Sequence, residues 1–125
     1  MSRGASRRGA VRIVYNRGMP RLIMYTRAGG CPDQALARRC LDEWHVQPIE
    51  RNISLDADAA QQLRELIGCL AVPTFVAADE TDQPIEPPRP LEPQRSVRNV
   101  DRGSLISEPT RDNLNWFLKR HGFLA

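Results

Sequence analysis

The sequence predicts an α/β fold in which strands and helices alternate as β-α-β-α-β, an insertion follows, and a last β-α pair completes a four-stranded mixed sheet with three helices. Three observations predict it. Short apolar runs bounded by proline or glycine alternate with stretches of helical period. One proline-rich segment interrupts that alternation. The chain has 125 residues, room for one core.

The first strand is Arg21 to Tyr25 (RLIMY), set between Pro20 and the Ala28-Gly29-Gly30 turn. From Pro32 the period becomes helical: Leu36, Ala37, Cys40, Leu41 and Trp44 form one apolar face, with Arg38, Arg39, Asp42 and Glu43 outside it. Pro32 suits the first turn of a helix, and Asp33 places an acid near the positive end of its dipole. Ile49 to Ile53 is a second strand. A second helix begins at Asp56 and runs to Ile67, with Ala59, Leu63, Leu66 and Ile67 inward and Gly68 at its exit. Val72 to Ala77 (VPTFVA) is a third strand, and the order to this point is one that builds parallel pairs. Asp79 to Asp101 carries Pro84, Pro87, Pro88, Pro90 and Pro93 and few large apolar groups, the signature of an extended, polyproline-like surface insertion at 79–101. Order resumes in Ser104 to Ser107, and Thr110 caps a final helix with Leu114, Phe117 and Leu118 on its face, Trp116 on its flank and His121-Gly122 at its end.

Charge is unevenly spread. The net charge is +3, yet Arg3, Arg7, Arg8, Arg12, Arg17 and Arg21 all precede residue 22 with no acid among them. The remainder is therefore net acidic, which argues against a basic nucleic-acid face on the body. Residues 1–19 read as a basic disordered leader, and residues 20–125 as the folded domain. No apolar run reaches the roughly 18–20 residues of a membrane span, and the arginine-broken first twenty residues are unlike a secretory signal. These features predict a cytoplasmic protein with no membrane partner.

The three cysteines, Cys31, Cys40 and Cys69, are too few and too far apart for a disulfide framework or a structural zinc site, so no metal is expected. Cys40 falls on an apolar helix face and reads as a small core hydrophobe. His45 and His121 close helices and suit that position electrostatically. No glycine-rich phosphate cradle is present. Cys31 differs, because it stands immediately before a helix. Unsatisfied amides there stabilise a thiolate, the nucleophilic form of cysteine. Gly29-Gly30 lets the chain turn tightly in front of it, and Arg27 adds positive potential from the same loop.

Tyr25-Thr26-Arg27-Ala28-Gly29-Gly30-Cys31-Pro32-Asp33-Gln34, continuing to Leu41-Asp42-Glu43, resembles the active-site strand, loop and helix of glutaredoxins, allowing one extra glycine in the turn. Ala71-Val72-Pro73-Thr74-Phe75 is similar to that family's Thr-Val-Pro-Thr motif. The resemblance implies a thioredoxin-like fold and thiol–disulfide exchange, with Cys31 as nucleophile. It also implies a cis Val72-Pro73 peptide and a substrate or glutathione platform formed by Arg27, Val72, Pro73 and Thr74. No cofactor is implied, glutathione being a candidate co-substrate; the partner class is a thiol or mixed-disulfide substrate.

The departures are specific. Gln34 replaces the second cysteine of Cys-Pro-x-Cys, which closes the dithiol route through that position. Cys69 replaces a glutamine the family places after the glycine, and is a candidate resolving thiol if it can reach Cys31. Ser107-Glu108-Pro109-Thr110-Arg111-Asp112 stands where the family binds the glutamyl end of glutathione, leaving Arg27 as the side-chain contact that transfers. These losses motivate an alternative: a non-enzymatic thioredoxin-like module binding a protein partner through the proline-rich insertion or the basic N-terminal arm.

Overall fold

In a computed structural model of the chain, residues 19–125 are described. All of the basic leader read over residues 1–19 except Met19 lies outside them. Four strands and three helices follow in order: β1 (Arg21–Thr26), α1 (Pro32–Trp44), β2 (Ile49–Asn52), α2 (Ala57–Ile67), β3 (Thr74–Ala78), β4 (Leu105–Ser107) and α3 (Arg111–Arg120). The sheet order is β2-β1-β3-β4, a mixed sheet of the thioredoxin-like kind.

Strand β1 reads as an unbroken apolar run because both of its faces are buried. Successive side chains of a strand point to opposite faces. Leu22 and Met24 thus join one core with Ala37, Cys40 and Leu41 of α1 and Leu114, Phe117 and Leu118 of α3. Ile23 and Tyr25 join the other with Ala59, Leu63 and Ile67 of α2. Cys40 is fully buried in the first core.

Only β1 and β2 are parallel, with Ile23 opposite Ile49 and Thr26 opposite Asn52. The parallel pairing read from the β-α-β-α-β order does not extend to β3, which runs antiparallel to β1 with Tyr25 opposite Thr74. The connection through α2 leaves the sheet beside Asn52 and re-enters it beside Tyr25, at the same end. That reversal sets Val72-Pro73 next to the loop that follows β1. Strand β3 starts at Thr74 rather than Val72; the Val72–Pro73 peptide is cis, and Pro73 has no N–H to give a ladder.

Helix caps follow from sequence. The Asp56 carboxylate accepts from the Asp58 and Ala59 amides, and Gly68 ends α2 in the left-handed region at φ 80°. The Thr110 hydroxyl accepts from the Asn113 amide at the start of α3. Both satisfy backbone groups that a helix end leaves open.

The insertion is extended but tethered along its length. The Asp79 carboxylate closes its first turn by accepting from the Thr81 and Gln83 amides, and the Ile85 amide returns to the Ala77 carbonyl. Its last residues lie along β4, with bridges Arg98–Ser107 and Asp101–Ile106. Covering β4 in this way shields a sheet edge that would otherwise present unpaired backbone groups.

Tyr25 carries the one buried side-chain polar atom without a hydrogen-bond partner among the described residues. Burial pushes its phenol up to about 12, with the Asp82 carboxylate adding to the shift and Arg51 opposing it. Removing an unpartnered buried hydroxyl costs little, so Tyr25→Phe is expected to leave stability at pH 7 unchanged or raise it by up to about 1 kcal/mol, read by urea denaturation. The raised value also fixes a sign. The ordinary phenol titrates near 10, so stability that is fully present below pH 10 is lost as pH rises towards 12, where the folded state finally ionises. Tyr25→Phe should flatten that alkaline loss and remove a tyrosinate absorbance step near pH 12.

Candidate functional site

The site grows from the C-terminal end of β1. Beyond Thr26 the chain must leave the sheet, pass over its end and start α1 at Pro32. Gly29 takes φ 90°, a conformation that disfavours side chains with a Cβ. The loop is held at two points: the Ala28 amide donates to the Ser54 hydroxyl at 3.0 Å, and Arg27 is gripped by Gln34. The Gln34 side chain is 6% exposed; its Oε1 accepts from the Arg27 amide and its Nε2 donates to the Arg27 carbonyl, each at 3.0 Å. A primary amide can satisfy both backbone groups of one residue at once, because it offers a donor and an acceptor side by side.

The grip aims the next element. Cys31 is the N-cap of α1 in an extended conformation, φ −147° and ψ 113°, with Pro32 beginning the helix. Its side chain makes no capping hydrogen bond, so the sulfur is not spent on the helix amides. It lies 3.8 Å from the Val72 carbonyl oxygen, half-buried, and packs against the core that contains Tyr25, Leu63 and Val72, as Leu70, Ala71 and Val97 also do. Arg27 is exposed on the loop before it.

Across from Cys31, the segment 71–73 is fixed from both sides. The buried Thr74 hydroxyl donates to the Ala71 carbonyl at 2.8 Å. Having spent its proton there, it accepts from the Ser107 hydroxyl at 2.6 Å. The Glu108 amide donates to the Pro73 carbonyl at 2.7 Å. Thr74 thus acts on this platform through its hold on Ala71, because its own side chain is fully buried.

Of the residues singled out from sequence, Cys31, Val72, Pro73 and Thr74 converge on one end of the sheet, and Arg27 borders them. Cys69 sits exposed in the turn after α2, and Cys31, Cys40 and Cys69 are all free thiols. His45 serves as a left-handed helix C-cap at φ 57°, and the His121 ring lies against the Gly103 carbonyl and Phe117; both are at helix ends away from Cys31.

Three further residues form a charged cluster at the start of α1; of these, only Asp33 was expected there, as an acid at the helix N-terminus. Arg98, from the insertion, pairs with Asp33 in the first turn of α1 at 2.5 and 3.0 Å and with Glu108 at 3.1 Å. The Arg98 guanidinium beside Asp33 holds that carboxyl below its usual range. Glu108 adopts φ 47°, which aims its amide at Pro73 and its carboxylate at Arg98. Asp33, Arg98, Asn99, Glu108 and Pro109 line a groove of about 280 Å³. A larger cavity of about 450 Å³ lies at the opposite end of β1, between Arg21 and Ala78, and has no part in the site. Only the proline-rich composition of the insertion was visible beforehand; nothing local to Arg98 says that it returns to α1. No group of three or more His, Cys, Asp or Glu able to hold a metal ion occurs among the described residues, nor does any helix there long and apolar enough to cross a membrane.

Residues 22–81 match the family model described as Glutaredoxin. No match was found among curated proteins or among solved structures.

Replacing Gln34 with alanine removes both contacts to the Arg27 main chain. Gln34→Ala is expected to cost about 1–2 kcal/mol, read as a lower urea midpoint with the slope unchanged, and to speed hydrogen exchange at the Arg27 amide.

Proposed function

We propose, from the match of residues 22–81 to the glutaredoxin family model, a family of thiol–disulfide oxidoreductases, that the chain exchanges mixed disulfides through a single nucleophilic cysteine, Cys31. Glutathione is the candidate thiol partner. The observation that carries this reading is the Cys31 sulfur itself, at the mouth of α1, outside the capping network and 3.8 Å from the Val72 carbonyl.

The chemistry needs little from the protein beyond a positioned thiolate. Cys31 sulfur attacks one sulfur of a mixed disulfide R–S–S–R′; the new Cys31–S–S–R bond forms as R′–S⁻ leaves and takes a proton from solvent. A second thiolate, R″–S⁻, then attacks the R sulfur, forming R–S–S–R″ and releasing Cys31 as thiolate. When R and R″ are both glutathionyl, R′–SH is the reduced product and glutathione disulfide carries away the oxidising equivalents. Arg27 lies on the loop before the sulfur and α1 begins directly after it, the kind of setting in which reactive cysteines occur. The Val72 main chain lies where an extended thiol substrate would pair, and Pro73 and Thr74 hold it there. Gln34 stands in the second-cysteine position and grips the loop instead, which favours resolution by an external thiol. Cys69 is the candidate internal alternative.

The test couples reduction of a glutathionylated peptide to glutathione oxidation. The parent should turn over, and Cys31→Ser should fall to the uncatalysed background. Cys69→Ser should retain most of the rate if resolution is external. Iodoacetamide at pH 7, followed by peptide mass mapping, should label Cys31 about tenfold or more faster than a cysteine in an unstructured peptide, as an activated thiol requires. Equal rates would remove the nucleophile from the proposal.

A further inference from the structure

We propose that Arg98 is a positioning residue for Cys31: the insertion delivers its guanidinium to Asp33 and Glu108 and lowers the net negative charge of that cluster from two to one, so that the thiolate forms beside a partly offset charge. This rests on the reading of Cys31 as the nucleophile and adds a function for the segment 79–101, which the catalytic scheme does not use.

The start of α1 presents an electrostatic problem. Asp33 lies two residues after Cys31 in the first turn of α1. An acid there favours the helix dipole, but its negative charge also opposes formation of a neighbouring thiolate. Glu108 is a second carboxylate on the same side, its amide tied to Pro73. Arg98 answers both, with two contacts to Asp33 and one to Glu108. The arrangement is held rather than incidental. The Asn99 amide donates to the Ser107 carbonyl at 2.7 Å, the Asn99 side-chain oxygen accepts from the Thr110 amide at 2.9 Å and the Asn113 side chain at 3.0 Å, and Val97 packs into the same cluster as Cys31. Residues 97–99 therefore place one apolar side chain, one cation and one cap beside the site. Arg98 is largely exposed, and an exposed ion pair adds little to stability. Its effect on a charge forming nearby is a separate matter. The charged groups on the segments around Cys31 are Arg27 on its loop, Asp33 on its helix, Arg98 next to Val97, and Glu108, whose amide meets Pro73.

The competing explanation is mechanical: the ion pairs merely tie the insertion down. A charge-reversal cycle separates the two. The rate of iodoacetamide labelling at Cys31 is followed at pH 7 in the full chain by peptide mass mapping, with thermal unfolding of each variant as a check on folding. Arg98→Gln is expected to slow labelling about three- to tenfold at low salt, since it leaves Asp33 and Glu108 uncompensated. Asp33→Asn alone should label as fast as the parent or faster. Asp33→Asn combined with Arg98→Gln should recover most of the lost rate, although the bridge is still missing. The deficit of Arg98→Gln should shrink at 1 M salt, where charges are screened within about 3 Å.

If Asp33→Asn alone is slow and the double variant is no faster than Arg98→Gln, the tie is mechanical and the proposal is overturned. It is overturned equally if Arg98→Gln labels at the parent's rate. A parent whose Cys31 labels no faster than an unstructured thiol is a different result, and refutes the function proposed above.

Discussion

Strand β1 has neither a free edge nor a free face. It is hydrogen-bonded to β2 on one side and β3 on the other, and its alternate residues are buried in two separate cores. Every component of the site is positioned from its C-terminal end. The loop to α1 leaves from Thr26, β2 ends beside it, and the antiparallel β3 begins beside it. Strand polarity, more than any side chain, brings Cys31 and Val72 to the same place. A third strand running the other way would have carried Val72-Pro73 to the Arg21 end of the sheet.

On that frame the site is tightened by polar contacts, each of which answers an orphaned backbone group. Gln34 satisfies both main-chain groups of Arg27, Thr74 satisfies Ala71, and the Glu108 amide satisfies Pro73. Buried polar groups are costly when unpaired, so these contacts restrict the loop and the platform to few alternatives. The charged pairs outside them, Arg38–Glu50 and Arg111–Glu43 among them, lie at the surface, where such pairs contribute little to stability. Arg38 and Glu50 do join α1 to β2, and Glu50 also accepts from the Thr26 hydroxyl at 2.9 Å, which ties down the root of the loop.

Gln34 shows how a lost chemical group can acquire another use. A thiol at this position would offer a second redox centre and only weak hydrogen bonding. The amide offers no redox chemistry and two strong contacts. The amide at this position therefore gives the chain a firmer loop in front of α1. The insertion follows the same logic at a larger scale, since it covers the β4 edge and carries Arg98 back towards α1.

The sequence by itself determined the elements and most of their inward faces, because apolar period and cap residues act locally: Asp56, Gly68 and Thr110 do at their helix ends what their chemistry requires. It also marked Cys31, whose place before Pro32 is a local fact, and the Val72-Pro73 motif. Tertiary structure alone decided that β3 runs antiparallel, since an 11-residue helix can return a chain to either end of a sheet. It alone decided that the Gln34 amide turns inward to Arg27, and that Arg98 meets Asp33, 65 residues away in the chain. Contacts between distant segments depend on how whole elements stack, and no short window of residues encodes that stacking.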